Sequence, residues 1–345
     1  MQELIKPPSL CAGDTIATVS LSWGGAGDEA FLWRYNLGKA RLEHQFGLHV
    51  IEMENTLKGS EYLYAHPEKR ARDLMQAFEN PDVKGVFSCI GGDESIRMLP
   101  YIDFEVLAHN PKIFLGYSDS TITHLLCFKA GLSSFYGPSV LAEFAENVRV
   151  FEYTSRFMKK VLFSSDPIGF IEPCKEWTDE YLVWTTENEF RSKKMQKNKP
   201  YRLLQGKGLA RGPLFGGCLD VLEMAKGSSL WPEVSSLEGA ILFFETSENT
   251  VAPSLFEAWL RNYGTLGILQ RARGIVFGKP YQGLYQKEYE MAISKVLSEV
   301  SLEDLPVFCN LSFGHNEPMC TLPYGAMAEM DCENMTFRIL DSGVN

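Results

Sequence analysis

Short apolar, strand-like runs alternate with helical patterns along the first half of this chain, and that alternation constrains the fold more than any other feature. A parallel strand cannot rejoin its sheet through a tight turn, so helix-length crossovers between successive runs signal a parallel sheet with helices on its faces. Residues 15–20 (TIATVS) read as a first strand, followed by a glycine-rich turn at 22–27 and a helix over 30–46. A short strand at 50–51, a helix over 67–79 with proline in its first turn, and a strand at 83–89 come next. Residues 113–116 form another strand backed by a helix over 120–130, then 134–136 a further strand before a helix over 153–162.

The pattern breaks between about 164 and 208, a polar stretch that carries Trp177, Tyr181, Trp184, Phe190 and Tyr201. It is either a linker whose aromatics pack on neighbours or a segment that covers a binding site. Residues 212–219 (GPLFGGCL) then read as a turn feeding a helix to about 226. Strands follow at 240–244, 274–277 and 307–310, with helices over 254–263 and 285–300, and the alternation across 327–340 looks antiparallel.

At 345 residues, with 45% hydrophobic and 22% charged side chains, the chain has material for two globular domains. A net charge of −11 argues against nucleic acid or an anionic membrane as partner, because no basic stripe exists to neutralise phosphates. The one basic cluster, Lys193, Lys194, Lys197 and Lys199, reads as a solvated loop. The first eight residues lack the apolar core of a signal peptide and no uncharged run reaches membrane-spanning length, so the expected location is cytoplasmic. Eight scattered cysteines without a C-x-x-C pair are expected to be buried and reduced, with neither a zinc site nor a disulfide framework.

Chemistry concentrates where apolar runs stop. In FLGYSDS (114–120) a strand ends in Gly-x-Ser and a helix begins at once, the placement that exposes a nucleophilic serine and lets helix-opening N–H groups hold an oxyanion. The second glycine of a full nucleophile elbow is replaced by Ser120, and a serine that only caps the helix is the competing reading. Glu245 and His315 likewise follow directly on strand-like runs, and residues at the carboxyl ends of strands face the crevice where ligands bind. Acyl transfer needs a nucleophile, a base and a group that orients the base, and Ser118, His315 and Glu245 supply those types. Glu248 is an acidic neighbour that sequence barely separates from Glu245. Of the six histidines, His44, His49, His66 and His109 are unremarkable, and His124 competes but should point away from Ser118 along its helix. The Gly91–Gly92 pair ends another strand, either as a tight turn or as an oxyanion contributor. The turn at 22–27 lacks both the phosphate-loop ending and the dinucleotide spacing.

Several segments in register, SLSWGGAG, IGGDESIRMLPYID, FLGYSDST, GPLFGGCLDVLE, LFFETSE, RNYG, GIVFGKP and FGHNEP, together resemble the LD-carboxypeptidase family of serine peptidases, in particular its microcin-immunity branch. The resemblance implies Ser118 as nucleophile, His315 as general base and Glu245 as orienting acid, with the backbone N–H groups of Gly92 and Asp119 as oxyanion hole. It implies an α/β fold: a parallel, Rossmann- or flavodoxin-like sheet domain over 1–165, a linker and substrate-covering loop over 166–208, and a smaller C-terminal α/β domain over 209–345. Homodimers and the absence of any metal or organic cofactor are implied too. The murein-recycling branch trims the terminal D-alanine from cell-wall tetrapeptides, whereas the immunity branch cleaves the amide joining an aminoacyl or peptidyl group to a nucleotide-like sulfamate or phosphoramidate. The aromatic segment and GGDES resemble the latter, which implies a substrate site including Gly91, Tyr117 and a base-stacking tryptophan, Trp184 in preference to Trp177. Cys218 stands where the recycling branch commonly has Asn. The alternatives are a murein tetrapeptide LD-carboxypeptidase and a non-catalytic ligand-binding α/β protein.

Overall fold

Runs that are apolar on both faces become interior strands, and the first half builds its sheet from them. In a computed structural model describing residues 3–345, strands Thr15–Val19, Val83–Ser88 and Ile113–Gly116 are almost wholly buried. Met1 and Gln2, part of the stretch read as lacking a signal-peptide core, lie outside the described residues. Across the sheet the strands run His49–Glu52, Thr15–Val19, Val83–Ser88, Ile113–Gly116, Phe135–Tyr136, all parallel, and then Leu322–Pro323, antiparallel. The order of the first five, second-first-third-fourth-fifth along the chain, is the flavodoxin-like arrangement. Its order reverses between Thr15–Val19 and Val83–Ser88, where the crevice for a ligand opens at the strands' carboxyl ends. Helices Leu32–Phe46, Pro67–Glu79 and Thr121–Lys129 lie where the helical patterns placed them, within one or two residues.

The second sheet has eight strands, with a parallel centre of Leu209–Cys218, Ile241–Glu245, Gly274–Gly278 and Val307–Leu311. The turn expected at 212–219 is instead the end of the ten-residue strand Leu209–Cys218, which pairs with Ile241–Glu245 on one side and antiparallel Met327–Asp331 on the other. Its glycines serve close packing: a Cβ at Gly216 would sit 1.7 Å from the Phe243 carbonyl oxygen, so only glycine fits. The alternation over 327–340 is the hairpin Met327–Asp331 and Thr336–Ile339.

The segment between the halves adds its strands to the second sheet and to a ribbon of its own. Gly169–Phe170 and Arg202–Gln205 form the two edges of the second sheet, while Glu176–Trp177 pairs with Gln196–Lys197 as a separate ribbon. Leu322–Pro323 returns from the C-terminal half to extend the first sheet. The halves share one core, in which Phe243 lies 5.6 Å from Tyr136 and 5.2 Å from Tyr324 between ring centroids. No helix of the described residues is long and apolar enough to cross a membrane.

Candidate active site

Strand Ile113–Gly116 delivers the chain into a single turn of 3₁₀ helix, Ser118–Ser120, before helix Thr121–Lys129. Ser118 has φ +61°, a left-handed conformation that costs a β-carbon-bearing residue about 1–3 kcal/mol and persists only where its surroundings impose it. Two neighbours impose it. Its N–H donates to the Tyr136 hydroxyl at 3.2 Å, and Gly91 lies so close that a Cβ there would be 2.8 Å from the Ser118 Cβ and 2.9 Å from its Oγ. Neither Ser118 nor Ser120 makes a side-chain cap bond to the helix; the Ser118 hydroxyl instead lies 2.9 Å from His315 Nε2.

His315 is held from its other side by Glu245, the last residue of its strand. Glu245 Oε2 accepts from His315 Nδ1 at 2.7 Å and from the His315 backbone N–H at 3.3 Å. Its other oxygen accepts from the Tyr136 hydroxyl at 2.5 Å. Tyr136 thus bridges the Ser118 backbone to the Glu245 carboxylate, and it is fully buried. Sequence reasoning passed over it because a tyrosine at a short strand end carries no motif; its place one strand beyond Ile113–Gly116 was the available signal.

The two acidic neighbours take different ends of the imidazole. Glu245 is buried and holds Nδ1, whereas Glu248, 59% exposed at its side chain, places Oε2 3.0 Å from Nε2. Burial pulls the His315 pKa down, but the charges and hydrogen bonds of both carboxylates outweigh it and hold the ring well above its ordinary value. The reciprocal hydrogen bond drops Glu248 to about 2. His124 faces elsewhere, as its helical position implied: its ring nitrogens meet the Gly116 carbonyl and the Ser134 hydroxyl, each at 2.9 Å, and burial pushes its pKa to about 3.

The glycine loop is tied to this turn by the Asp119 side chain. Asp119 Oδ2 accepts from the N–H groups of Glu94 at 3.1 Å and Ser95 at 2.8 Å, and the Asp119 carbonyl accepts from the Ser95 hydroxyl. Trp23 N–H donates to the Gly91 carbonyl at 3.1 Å, so the loops after Thr15–Val19 and Val83–Ser88 meet beside Ser118. A Cβ at Gly91 would also lie 3.2 Å from the Asp119 backbone nitrogen, whereas one at Gly92 would meet the Ser22 side chain and the Trp23 nitrogen. The Tyr117 ring stands edge-on to the His315 ring at 5.0 Å, and its phenol is pushed well up by burial and by nearby carboxylates, Glu143 foremost. Cys218 pairs in register with Glu245, and burial with the adjacent charge raises its thiol well above the ordinary value. Cys218, Glu245 and His315 are the one set of three ligand-type side chains among the described residues with donor atoms within 4.8 Å of each other. Two of the three already bond each other. Cys11 is the exception to the expectation of buried cysteines; all eight are free thiols.

The polar segment packs back onto both halves of the chain. The Trp184 indole stacks on the Arg34 guanidinium, 4.4 Å from carbon to centroid, and stands edge-on to Phe31 at 6.2 Å. Arg34 is itself buried and donates to the Leu141 carbonyl at 2.6 Å and Asn147 Oδ1 at 2.9 Å. Trp177 lies instead over Lys279, at 4.2 Å. The basic cluster is not the uniformly solvated loop its composition suggested. Lys193 is only 10% exposed and pairs with Glu146 at 2.7 Å and with Glu317, two residues past His315. Lys194, Lys197 and Lys199 stay exposed. Thr178 N–H also donates to the Glu317 carbonyl at 3.0 Å, so the polar segment is clasped twice to the His315 loop.

A serine hydroxyl, imidazole and carboxylate in one hydrogen-bonded row, on strand ends of an α/β fold, define the class of serine hydrolases. Residues 16–137 match the model of the LD-carboxypeptidase N-terminal domain and residues 211–330 that of the C-terminal domain, so the chain belongs to the LD-carboxypeptidase family of serine peptidases. It is 31% identical to the microcin C7 self-immunity protein MccF of Escherichia coli, over 86% of this chain and 85% of that one. It is 30% identical to a putative carboxypeptidase of Vibrio cholerae, over 90% and 91%. Among solved structures, an MccF-like protein from Streptococcus pneumoniae in complex with AMP superposes with a TM-score of 0.87 at 31% identity, covering 95% of this chain and 98% of that one. MccF in complex with glutamyl sulfamoyl guanosine gives 0.85 at 27%, covering 99% of each.

Proposed function

We propose that this enzyme hydrolyses the amide joining an aminoacyl or peptidyl group to a nucleotide through a sulfamate or phosphoramidate, using Ser118, His315 and Glu245 as a triad. The observation that carries the chemistry is the row of bonds from Ser118 Oγ to His315 Nε2 at 2.9 Å and from Nδ1 to Glu245 at 2.7 Å. His315 takes the proton of Ser118 Oγ as that oxygen attacks the carbonyl carbon, then gives it to the departing nitrogen. Water, deprotonated by the same nitrogen, splits the acyl-enzyme and restores Ser118. Glu245 fixes the ring orientation and offsets the imidazolium charge, and the N–H groups of Gly92 and Asp119 receive the oxyanion. These steps use side chains and backbone alone.

Two lines support the nucleotide-linked substrate. Relatives of the same shape hold AMP and glutamyl sulfamoyl guanosine. Trp184 offers an indole already backed by Arg34 on one face, ready to stack a base on the other beside a site formed with Gly91 and Tyr117. In this reading residues 1–165 carry the nucleophile, 166–208 cover the substrate and 209–345 carry acid and base, in a cytoplasmic homodimer. The test is mass spectrometry of the purified protein with an aminoacyl sulfamoyl adenosine and, in parallel, a murein tetrapeptide. Cleavage of the first, abolished by Ser118→Ala, is expected. Turnover of the tetrapeptide alone would assign the chain to cell-wall recycling, and turnover unchanged in Ser118→Ala would overturn the triad.

A further inference from the structure

One carboxylate at the site has no part in the steps above. Glu248 Oε2 lies 3.0 Å from His315 Nε2, the same nitrogen that meets Ser118 Oγ at 2.9 Å. A single ring nitrogen cannot serve both. To take the serine proton Nε2 must offer its lone pair, whereas to pair with Glu248 it must carry a proton. The free enzyme therefore holds a contact that favours the imidazolium and opposes the base.

What relieves it must bring positive charge to Glu248. No lysine or arginine among the described residues pairs with this carboxylate: Lys193 is engaged with Glu146 and Glu317, Lys279 with Asn310, and Arg34 with Leu141 and Asn147. The Glu248 side chain is 59% exposed, at the open side of a ring that is only 8% exposed. A carbonyl carbon poised for attack stands about 3–3.5 Å from Ser118 Oγ. The α-nitrogen of an aminoacyl group lies two bonds further, about 2.5 Å from that carbon. Glu248 Oε2 is 3.0 Å from the nitrogen that meets Ser118 Oγ, which places an α-ammonium within its reach.

We propose that Glu248 is the receptor for a free α-ammonium on the acyl group and that its engagement frees His315 to act. The ammonium pairs with the Glu248 carboxylate, the imidazolium loses that counter-charge and releases its Nε2 proton to water, and neutral Nε2 then accepts the proton of Ser118 Oγ. This rests on the aminoacyl-nucleotide reading and narrows it, favouring a free amino acid over an N-acylated or peptidyl group. At neutral pH both partners carry the charges this needs, an ionised carboxylate and a protonated α-amine.

The experiment measures kcat/KM of the wild type and Glu248→Gln on an aminoacyl sulfamoyl adenosine and its Nα-acetylated analogue. Wild type should prefer the free amine by at least about tenfold, the worth of a hydrogen bond to a charged group. In Glu248→Gln the free-amine substrate should fall about 10- to 100-fold and the acetylated one should hold or rise, so that the preference vanishes. A preference retained in Glu248→Gln, or an equal loss on both substrates, overturns the inference and leaves Glu248 as a partner of His315 only. Wild type that cleaves both equally well also overturns it while leaving the hydrolase reading intact. Wild type that cleaves neither removes the substrate class, and the inference with it. Unchanged thermal unfolding of Glu248→Gln, expected for so exposed a side chain, excludes misfolding as the cause of any loss.

Discussion

Tyr136→Phe tests whether the site is held from behind by a single hydroxyl. The phenol donates to Glu245 at 2.5 Å and accepts from the Ser118 N–H at 3.2 Å, while its ring is wedged between His124 at 5.5 Å and Phe243 at 5.6 Å. Phenylalanine keeps the ring and opens no cavity, so the effect isolates the oxygen. A hydrogen bond to a charged acceptor contributes about 1.5–3 kcal/mol, and stranding the Ser118 amide adds about 1 kcal/mol. The native state should therefore weaken by about 2–4 kcal/mol, read as a lower urea midpoint at unchanged slope. The same loss frees Glu245 to tilt and lets Ser118 relax from its left-handed conformation. Turnover should then fall about 10- to 100-fold with KM unchanged, because buried Tyr136 does not reach substrate. Wild-type kcat together with a wild-type urea midpoint would refute the argument that this bridge fixes nucleophile and acid.

Other perturbations reach further parts of the molecule. Glu143 is buried beside Tyr117, and burial first, then the Glu317 charge, raises its pKa to about 7. Its contribution to stability is therefore present below its unfolded value and is lost as pH rises through 7, so Glu143→Gln should stabilise the protein by up to about 3 kcal/mol at pH 8.5 and by little at pH 4. Denaturant melts at both pH values decide it; equal effects at both would refute it, and Glu146, raised to about 7 as well, keeps part of the slope in the variant. Lys193→Met strands the Glu146 and Glu317 carboxylates, which should cost about 3–5 kcal/mol. If the polar segment covers the substrate as proposed, the variant should also raise KM more than it lowers kcat, because the segment loses one of its two clasps on the His315 loop; proteolysis within 178–194 no faster than in wild type would count against that clasp. Trp184→Ala should raise KM for a nucleotide-linked substrate by about 10- to 100-fold, matching a stacking contribution of about 1–3 kcal/mol. An equal rise for a substrate that lacks the base would show that Trp184 shapes the segment and not the base site.

Much of the frame was legible from local pattern. Apolar runs such as TIATV and AILFF are too short for helices and lie between amphipathic stretches, so they could only be interior strands of an α/β sheet. Ser118, Glu245 and His315 stood out because each ends such a run, and the fold brings all three within hydrogen-bonding distance in a row. The strand at Leu209–Cys218 was misread because glycines signal turns locally, and only the neighbouring Phe243 carbonyl shows why Gly216 must lack a side chain. Lys193 was misread for a related reason: charge runs are normally solvated, and the carboxylates that bury this one lie 47 and 124 residues away.

What the sequence determined by itself is the class of architecture and the residues able to perform acyl transfer, because strand and helix periods and chemical side-chain types are local properties. Tertiary structure alone decided which acid faces which nitrogen of His315, that Tyr136 braces both Ser118 and Glu245, and that the polar segment is tied to the His315 loop through Lys193 and Thr178. Each depends on distances of a few ångströms between residues separated by tens to hundreds of positions, and those distances are set by how two sheets pack around one core.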